Sequence, residues 1–219
     1  MANRKLRLPG SLALLRALWR PVVVHRYLST APSPSLHVGC GGVVHSGWLN
    51  TDLHNAEADT YLDATKRFPF RDHTFERIFS EHLRIDRVRA FLNETYRVIR
   101  SGGLIRISCP DLALYARHYV DQYEAFLAKL DSDLNDARRK KPQSAWILKT
   151  HGALFISGVV KDFHRHFWMY DFETLKNCLQ AANFRDVRQL SFGDSQDVAM
   201  RGIDLEERAF ESLYVEARK

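Results

Sequence analysis

The chain has 219 residues, of which 45% are hydrophobic and 26% are charged, proportions that suit one soluble globular domain. No apolar run approaches the ~20 residues needed to cross a bilayer, and Cys40, Cys109 and Cys178 show no paired spacing, which favours reduced thiols in a cytoplasm. The net charge of +6 comes from six bases in the first 51 residues, a stretch without an acid. Because the remaining 26 bases and 26 acids balance and form no basic and aromatic stripe, nucleic acid is not an expected partner.

Residues 1–35 form a basic segment with apolar residues between Leu12 and Val24 and a Ser/Pro joint at 29–35. Arg16 and Arg20 interrupt the apolar run, so the segment is a poor secretory signal. Three alternatives remain: a helix packed on the domain, a helix lying at a membrane surface, or an organelle transit peptide. Residues 1–30 are therefore a candidate for peripheral contact with the inner face of a membrane, and residues 36–219 are predicted to form a single domain.

The first predicted strand, Leu36–Val38, runs directly into the glycine-containing stretch Gly39–Gly41. A strand that stops at glycines leaves backbone amides bare and lets a ligand approach closely. Trp48–Thr51 predicts a second strand, and Asp52 stands at its end, eleven residues after Gly41. Because a carboxylate in that position can accept hydrogen bonds from both hydroxyls of a ribose, the pattern predicts a nucleoside pocket.

The spacing also bears on which nucleoside the pocket holds. The dinucleotide fingerprint has a third glycine and an acid about 20 residues further on, whereas this chain has Val44 at the third glycine position and its acid at roughly half that distance. Only residues 42–47 separate the loop from the second strand, too few for the helix whose N-terminus would hold a pyrophosphate. The loop therefore suits a positively charged nucleoside without phosphates, such as S-adenosylmethionine (SAM), better than NAD.

The following elements alternate between strand and helix. Asp59–Asp63 predicts a third strand and Arg77–Ser80 a fourth, and an amphipathic helix is expected from about residue 86 to residue 100. Ser101–Gly103 is predicted to end this helix as a C-cap, and Leu104–Ser108 to form the fifth strand. This alternation predicts a parallel sheet with helices on its faces.

The chain after the fifth strand is predicted to be helical. Helical periodicity continues from Asp111 to about residue 137, and a second apolar segment, Trp146–Val160, is expected to fold back beside it. This insertion, residues 111–165, would roof the pocket. Asp171 is a predicted N-cap of a helix that ends at a left-handed Asn183, and residues 187–192 and 213–217 predict an antiparallel pair of final strands.

Eight short motifs share an order and spacing with a known family. They are Leu-His-Val-Gly-Cys-Gly (36–41), Gly-Trp-Leu-Asn-Thr-Asp (47–52), Phe-Pro-Phe (68–70), Phe-Ser-Glu-His-Leu (79–83), Arg-Val-Ile-Arg-Ser-Gly-Gly (97–103), Ile-Ser-Cys-Pro-Asp-Leu (107–112), Met-Tyr-Asp (169–171) and Glu-Ser-Leu-Tyr-Val-Glu-Ala (211–217). In these motifs the chain resembles the class I SAM-dependent methyltransferases, most of all the bacterial predicted methyltransferases associated with surface-glycan gene clusters. The resemblance covers nearly everything after residue 35. It departs from the family at His37, where most members carry an acid, and at Arg84-Ile85-Asp86.

The resemblance implies an α/β fold of the Rossmann-like, doubly wound type. The mostly parallel, seven-stranded sheet would have an antiparallel C-terminal strand and a helical insertion after strand 5. SAM is the implied cofactor. The residues expected to bind it are Gly39, Cys40, Gly41, Asp52, Leu53, Asp63, Ala64 and Glu81.

These residues have expected roles. The two glycines would pass under the cofactor and Asp52 would hold its ribose, while Asp63 would lie beside the adenine or serve equally well as a helix cap. Glu81 would take the methionine ammonium or shape the pocket.

Three residues are candidates for the acceptor side. His82 follows the fourth strand and would act as a base or be a satisfied pocket residue; Asp111 points toward the reaction zone or caps the long helix. His164 would line the acceptor pocket together with His166. A metal is not expected, because methyl transfer from a sulfonium does not require one.

Methyl transfer from SAM is an in-line displacement, in which the protein chiefly aligns the reacting atoms. The leading hypothesis is therefore a SAM-dependent methyltransferase that acts on a small-molecule or glycan-like acceptor, on oxygen. The alternative, motivated by His37 and Arg84-Ile85-Asp86, is a methyltransferase-like fold without turnover that serves as a binding module at a membrane surface.

Overall fold

The computed structural model describes residues 10–55, 57–81, 88–121 and 169–219, together with 124, 125 and 128, and describes side chains from residue 18 onward. The strands are β1 (Ser35–Val38), β2 (Leu49–Asp52), β3 (Thr60–Tyr61), β4 (Phe75–Glu81), β5 (Ile99–Pro110), β6 (Arg185–Leu190) and β7 (Ser212–Arg218). The helices are α1 (Gly10–Thr30), α2 (Val88–Val98), α3 (Leu112–Val120) and α4 (Phe172–Ala181).

The strands form one seven-stranded sheet in the order β3-β2-β1-β4-β5-β7-β6. β1 pairs in parallel with β2 and β4, and β4 pairs in parallel with β5, whereas β7 runs antiparallel to both β5 and β6. The predicted Rossmann-like α/β fold, with its antiparallel C-terminal strand, is confirmed. The strand order reverses between β1 and β4, the position at which such sheets open a crevice at their carboxyl edge.

The β4–β5 region differs from the sequence prediction. Helix α2 ends at Val98, and Ile99 already pairs with Phe75, while the next pair in the register joins Leu104 to Arg77. The residues between them form a bulge in β5, in which a Cβ on Gly103 would lie 2.8 Å from the Glu76 carbonyl oxygen. The predicted C-cap at Ser101–Gly103 is therefore wrong: Gly103 allows a close backbone approach between strands, and Gly102 adopts a φ of 76° within the bulge.

One face of the sheet is apolar. Side chains alternate between the two faces along each strand, so residues at the same register in neighbouring strands share a face. The apolar face includes buried Leu36, Val38, Ile78, Ile105, Ile107 and Val215. These residues belong to one cluster with side chains of α2 and α4, such as Leu92 and Leu179.

The opposite, polar face carries charged and aromatic side chains. Four buried side chains lie at one register on this face, one on each of the neighbouring strands β1, β4, β5 and β7: His37, Phe79, Arg106 and Glu216. The segment between β6 and β7 supplies partners for them, as described below.

Two helix ends follow the sequence prediction. The Asp171 carboxylate accepts from the Thr174 amide at 2.8 Å and so caps α4, and Asn183 beyond its other end has a φ of 69°. The predicted antiparallel pair of final strands after α4 is confirmed as β6 and β7. Strand β6 begins two residues earlier than expected.

Helix α1 packs through one side on the apolar cluster, with Val23, Val24, Tyr27 and Leu28 partly buried. The Tyr27 hydroxyl accepts from the Ser35 amide at 2.8 Å and so ties the helix to the start of β1. Within the part of the chain that the structure describes, no helix combines the length and the apolar character needed to cross a membrane.

Candidate functional site

The turn after β1 depends on glycine. Gly39 and Gly41 have φ values of 75° and 57°, which side-chain-bearing residues rarely adopt. A Cβ built on Gly41 would meet no atom within 4 Å, so the space beside it is open. Residues 42–47 connect this turn to β2 through turns and irregular chain without a helix, as their number predicts.

The amides of this turn are not bare, contrary to the sequence prediction. The Gly39 and Cys40 N–H groups both donate to the Thr51 carbonyl oxygen, at 2.8 and 3.0 Å, and the Gly41 N–H donates to the Asp52 carboxylate at 3.1 Å. Because β2 lies directly beside β1, its last carbonyl and its terminal carboxylate reach these groups. The amides therefore shape the turn rather than meeting a ligand directly.

Asp52 is fixed by three backbone amides. Its Oδ2 accepts from Gly41, and its Oδ1 accepts from His54 at 2.6 Å and from Asn55 at 2.8 Å. A carboxylate oxygen has two lone pairs, so Oδ1 is fully used, while Oδ2 keeps one lone pair for a further donor. The arrangement offers one acceptor to a ribose hydroxyl, where the sequence suggested two. Leu53, which follows, is half-buried.

Asp63 caps a turn. Its Oδ1 accepts from the Thr65 amide at 3.0 Å and from the Thr65 hydroxyl at 2.7 Å, and Lys66 lies 3.1 Å from its Oδ2. Burial opposes the charged form, but these partners hold the pKa of Asp63 below its ordinary value. Of the two roles that the sequence left open, the contacts are those of the cap, and Ala64 packs on the apolar cluster.

Glu81, the last residue of β4, is 9% exposed. Its Oε1 accepts from the Leu205 amide at 3.2 Å. Burial raises the pKa of Glu81 to about 7, and the negative charge of Asp204 acts in the same direction. The carboxyl group thus exchanges its proton close to neutral pH, which the sequence could not indicate.

Asp111 caps α3. Its side chain accepts from the Ala113 amide at 2.9 Å, and its own amide donates to the Glu211 carbonyl oxygen at 2.9 Å. Burial raises the pKa of Asp111. The capping role that the sequence proposed as one alternative is therefore present at the carboxyl end of β5.

His37 occupies the position of an acid in the resembled family, and its environment explains why the ring is neutral. Burial lowers its pKa to about 3, and the nearby His45 ring, 4.8 Å away between centroids, adds to this. Its Nδ1 lies 3.3 Å from Asn50 Oδ1, and its Nε2 has no hydrogen-bond partner among the described residues. A neutral imidazole cannot supply the negative charge that an acid would.

The sequence missed a buried ionic cluster behind the site. Arg106 donates to both Asp204 oxygens, from Nε at 2.9 Å and from Nη2 at 2.6 Å, and to Glu216 at 2.9 Å from Nη1. Ser195 donates to the same Glu216 at 2.6 Å. An arginine between Ile105 and Ile107 is the one signal of this cluster in the sequence, because a charge on a buried strand needs partners.

Some predicted residues lie outside the described residues. They are His82, His164, His166, Arg84-Ile85-Asp86 and most of the insertion at 111–165. Within the described ranges, no group of three or more His, Cys, Asp or Glu side chains is arranged to hold a metal ion. A surface depression of about 570 Å³, lined by residues 67–72 and Arg97, adjoins the chain that enters β4, away from the glycine turn.

The predicted residues thus meet along one edge of the sheet. Gly39 follows the last residue of β1, Asp52 ends β2, Glu81 ends β4 and Asp111 follows β5. Glu81 and the glycine turn stand on the two sides of the point where the strand order reverses.

No protein-family model matches the chain, and a search of curated proteins finds no similar sequence. Solved structures similar to it include a SAM-dependent methyltransferase from Archaeoglobus fulgidus, with 16% identity, a TM-score of 0.45 and coverage of 94% of this chain and 93% of that one. A methyltransferase from Thermotoga maritima has 14% identity, a TM-score of 0.47 and coverage of 94% and 96%. Phosphoethanolamine N-methyltransferase 2 from Haemonchus contortus, in complex with S-adenosyl-L-methionine, has 11% identity, a TM-score of 0.45 and coverage of 92% and 52%. These identities and scores assign no activity to this chain.

Proposed function

We propose that the chain is a SAM-dependent methyltransferase that acts on a small-molecule or glycan-like acceptor, on oxygen, in the cytoplasm. The observation that carries the proposal is the meeting of the glycine turn, Asp52 and Glu81 at the switch point between β1 and β4. Ligands of open α/β sheets bind in the crevice at this point. The lack of a helix in residues 42–47 favours a nucleoside without phosphates over a dinucleotide.

The residues present fit such a cofactor. The open space beside Gly41 admits a ligand against the backbone, Asp52 Oδ2 has an acceptor left for a ribose hydroxyl, and Glu81, on the other side of the switch point, would shape the pocket. Cys40, Leu53, Asp63 and Ala64 belong to the segments that would form the walls. When bound, SAM supplies the methyl group as a strong electrophile, and the chain's own task is to orient the acceptor and to remove its proton.

Titration calorimetry with SAM and with S-adenosylhomocysteine tests the proposal. We expect micromolar binding that Asp52→Ala weakens by roughly 1–3 kcal/mol, since a half-buried hydrogen-bond acceptor is lost. Glu173→Ala, which removes an exposed carboxylate from α4, is the control and should bind normally. Absence of heat at millimolar cofactor would reject the proposal. Thermal unfolding of each variant separates lost binding from lost folding, because Asp52 also holds three amides.

The proposed acceptor-side residues are His82, Asp111 and His164. Asp111 carries a buried carboxyl group with a raised pKa at the carboxyl end of β5, beside the pocket. Mass spectrometry of small molecules that co-purify with the protein is the direct route to the acceptor, and a methylated alcohol formed from SAM would support transfer to oxygen.

We also propose peripheral contact with a membrane through residues 1–30. Leu18, Trp19 and Val22 are 68%, 64% and 56% exposed on the outward side of α1, and the segment carries six of the chain's bases and no acid. Exposed apolar side chains beside basic residues suit an anionic lipid surface. This observation also favours the second candidate function, a binding module without turnover at a membrane.

Sedimentation with anionic and with neutral vesicles tests this contact. Leu18→Asp should reduce binding to anionic vesicles, whereas Val198→Asp, at an apolar residue that is 75% exposed elsewhere on the surface, should not. Equal binding by both variants would reject the contact. Vesicle binding by a protein that binds no SAM would favour the module over the enzyme.

A further inference from the structure

A row of polar side chains continues the site beyond Glu81. Glu81 is the register partner of Ser108 in β5, and Ser108 is the register partner of Tyr214 in β7. Residues at one register share a face of the sheet, so the three side chains stand side by side on the polar face. We call Glu81, Ser108 and Tyr214 the edge row. It begins at the switch point and leads away from the glycine turn.

The edge row is buried and has unused hydrogen-bonding capacity. Ser108 is fully buried and Tyr214 is 4% exposed. Within the described ranges, the Ser108 Oγ has no hydrogen-bond partner, and the Tyr214 hydroxyl interacts with the Ser212 side chain, two residues away on the same strand. Buried polar atoms are normally paired, because an unpaired one loses its hydration without compensation. An unpaired buried hydroxyl between a carboxyl group and a tyrosine hydroxyl is the pattern of a site that a polar ligand completes.

The surroundings of the row limit the charge of that ligand. Burial raises the pKa of Glu81 to about 7; the negative charges of Asp204 and Glu207 add to the rise, and the positive charge of Arg208 opposes it. Arg106 lies 5.3 Å from the centre of the Tyr214 ring, but it is paired with Asp204 and Glu216. A carboxylate or phosphate ligand would therefore meet repulsion here, whereas a neutral alcohol or an ammonium would not.

We propose that the edge row is the acceptor subsite, and that it takes an acceptor with an alcohol or a primary amine group. The inference rests on the proposed methyltransferase function and deepens it. The Ser108 and Tyr214 hydroxyls hold the polar groups of the acceptor, and the Glu81 carboxylate takes its proton. The lone pair of the acceptor oxygen or nitrogen forms the bond to the methyl carbon, the carbon–sulfur bond breaks, and its electron pair stays on sulfur as S-adenosylhomocysteine forms.

Saturation-transfer NMR in the presence of S-adenosylhomocysteine tests the subsite with four probes: ethanolamine, glycerol, acetate and inorganic phosphate. We expect contact with ethanolamine and glycerol and none with the two anions. Ser108→Ala and Tyr214→Phe should each weaken that contact roughly fivefold, the effect of one hydrogen bond. Contact with the anions as strong as with the alcohols, or no contact with any probe, would overturn the proposal.

Ser80→Ala is the matched control for the two hydroxyl variants. Ser80 is also fully buried with an unpaired Oγ, but it precedes Glu81 and so stands on the apolar face. If loss of a buried hydroxyl acted only through stability, Ser80→Ala would weaken probe contact as much as Ser108→Ala does, and the inference would fail.

The proton-accepting role of Glu81 has its own readout. Formation of S-adenosylhomocysteine from SAM with ethanolamine should fall by about 100-fold or more in Glu81→Gln, because a general base is lost. Unchanged turnover in this variant, or none in the unaltered protein, would overturn the role. Calorimetry on the unaltered protein separates the two levels: absent binding of S-adenosylhomocysteine defeats the methyltransferase function, and binding without probe contact defeats the subsite alone.

Discussion

The two faces of the sheet are held by different kinds of contact. The apolar face buries Leu36, Ile78 and Ile105 against side chains of α2 and α4. The polar face buries Arg106 between Asp204 and Glu216, which lie 98 and 110 residues further along the chain. The same strands thus contribute one face that needs only apolar neighbours and one that needs particular distant partners.

The apolar face therefore contributes mainly to the stability of the fold, whereas the polar face specifies which segments lie against each other. Apolar burial is roughly proportional to area and tolerates exchange among similar side chains. A buried ion pair stabilises only when its geometry is complete, because each charge has lost its hydration. The polar face therefore fixes the segment between β6 and β7, from which the Leu205 amide reaches Glu81.

The largest expected effect comes from breaking the polar face. Arg106→Leu leaves the Asp204 and Glu216 carboxylates buried without their partner, and we expect the free energy of unfolding to fall by about 3–5 kcal/mol. Ile105→Val, on the adjacent apolar side, should cost about 0.5–1.5 kcal/mol. Urea unfolding of both variants measures the difference.

A companion triple variant identifies the cause. Arg106→Leu combined with Asp204→Asn and Glu216→Gln removes the unpaired charges and should recover part of the loss. If Arg106→Leu cost no more than Ile105→Val, the two faces would not differ in the way described.

A smaller effect depends on pH and on His37. The unfolded ring takes up a proton below its ordinary pKa of 6.5, whereas the folded ring stays neutral down to about 3. The contribution of His37 to stability is therefore complete above pH 6.5 and is lost as the pH falls below it. From pH 7 to pH 5 this amounts to about 2 kcal/mol, so His37→Gln should flatten the dependence by that amount in urea unfolding.

Glu81 gives the opposite slope and serves as the control. Its pKa is raised from 4.5 to about 7, so its contribution is complete below pH 4.5 and is lost as the pH rises through about 7. Glu81→Gln should therefore remove a loss of stability that develops as the pH rises from about 4.5 to about 7, opposite in sign to the His37 effect over much of the same range. A steeper acid dependence in His37→Gln would contradict the assignment of the neutral ring.

The smallest effect concerns helix α4, which packs on the apolar face of the sheet. Asp171→Ala removes the N-cap of α4 and should lower the free energy of unfolding by about 1 kcal/mol. Glu173→Ala takes a carboxylate from the same first turn without breaking the cap bond and should cost only a few tenths of a kcal/mol, roughly its interaction with the helix dipole. Equal losses would show that charge, not the cap hydrogen bond, is what matters.

Much of the fold could be predicted because it depends on local pattern. The short apolar-leaning run Leu36–Val38, the helical spacing from Val88 and the cap at Asp171 are each decided by residues close in sequence. The end of α2 differs from the prediction, because Ile99 already pairs with β4 and the bulge at Gly103 lies close to the Glu76 carbonyl of that neighbouring strand. This contact joins residues that are far apart in the local sequence pattern. For Asp63 and Asp111 the sequence left a capping role and a ligand-binding role open, because both roles use the same carboxylate in the same place. The structure shows the capping contacts of both.

By itself the sequence determined the carboxyl ends of the strands to within two residues and that glycines and acids stand at several of them, because apolar patterning, glycine conformation and capping act over a few residues. Only the tertiary structure decided what those groups contact. It placed β2 close enough to occupy the amides of the glycine turn, found partners for Arg106 about a hundred residues away, and aligned Glu81, Ser108 and Tyr214 in one register. The reason is physical: a side chain's partners, hydration and pKa are set by what packs against it, and packing joins residues that the sequence keeps apart.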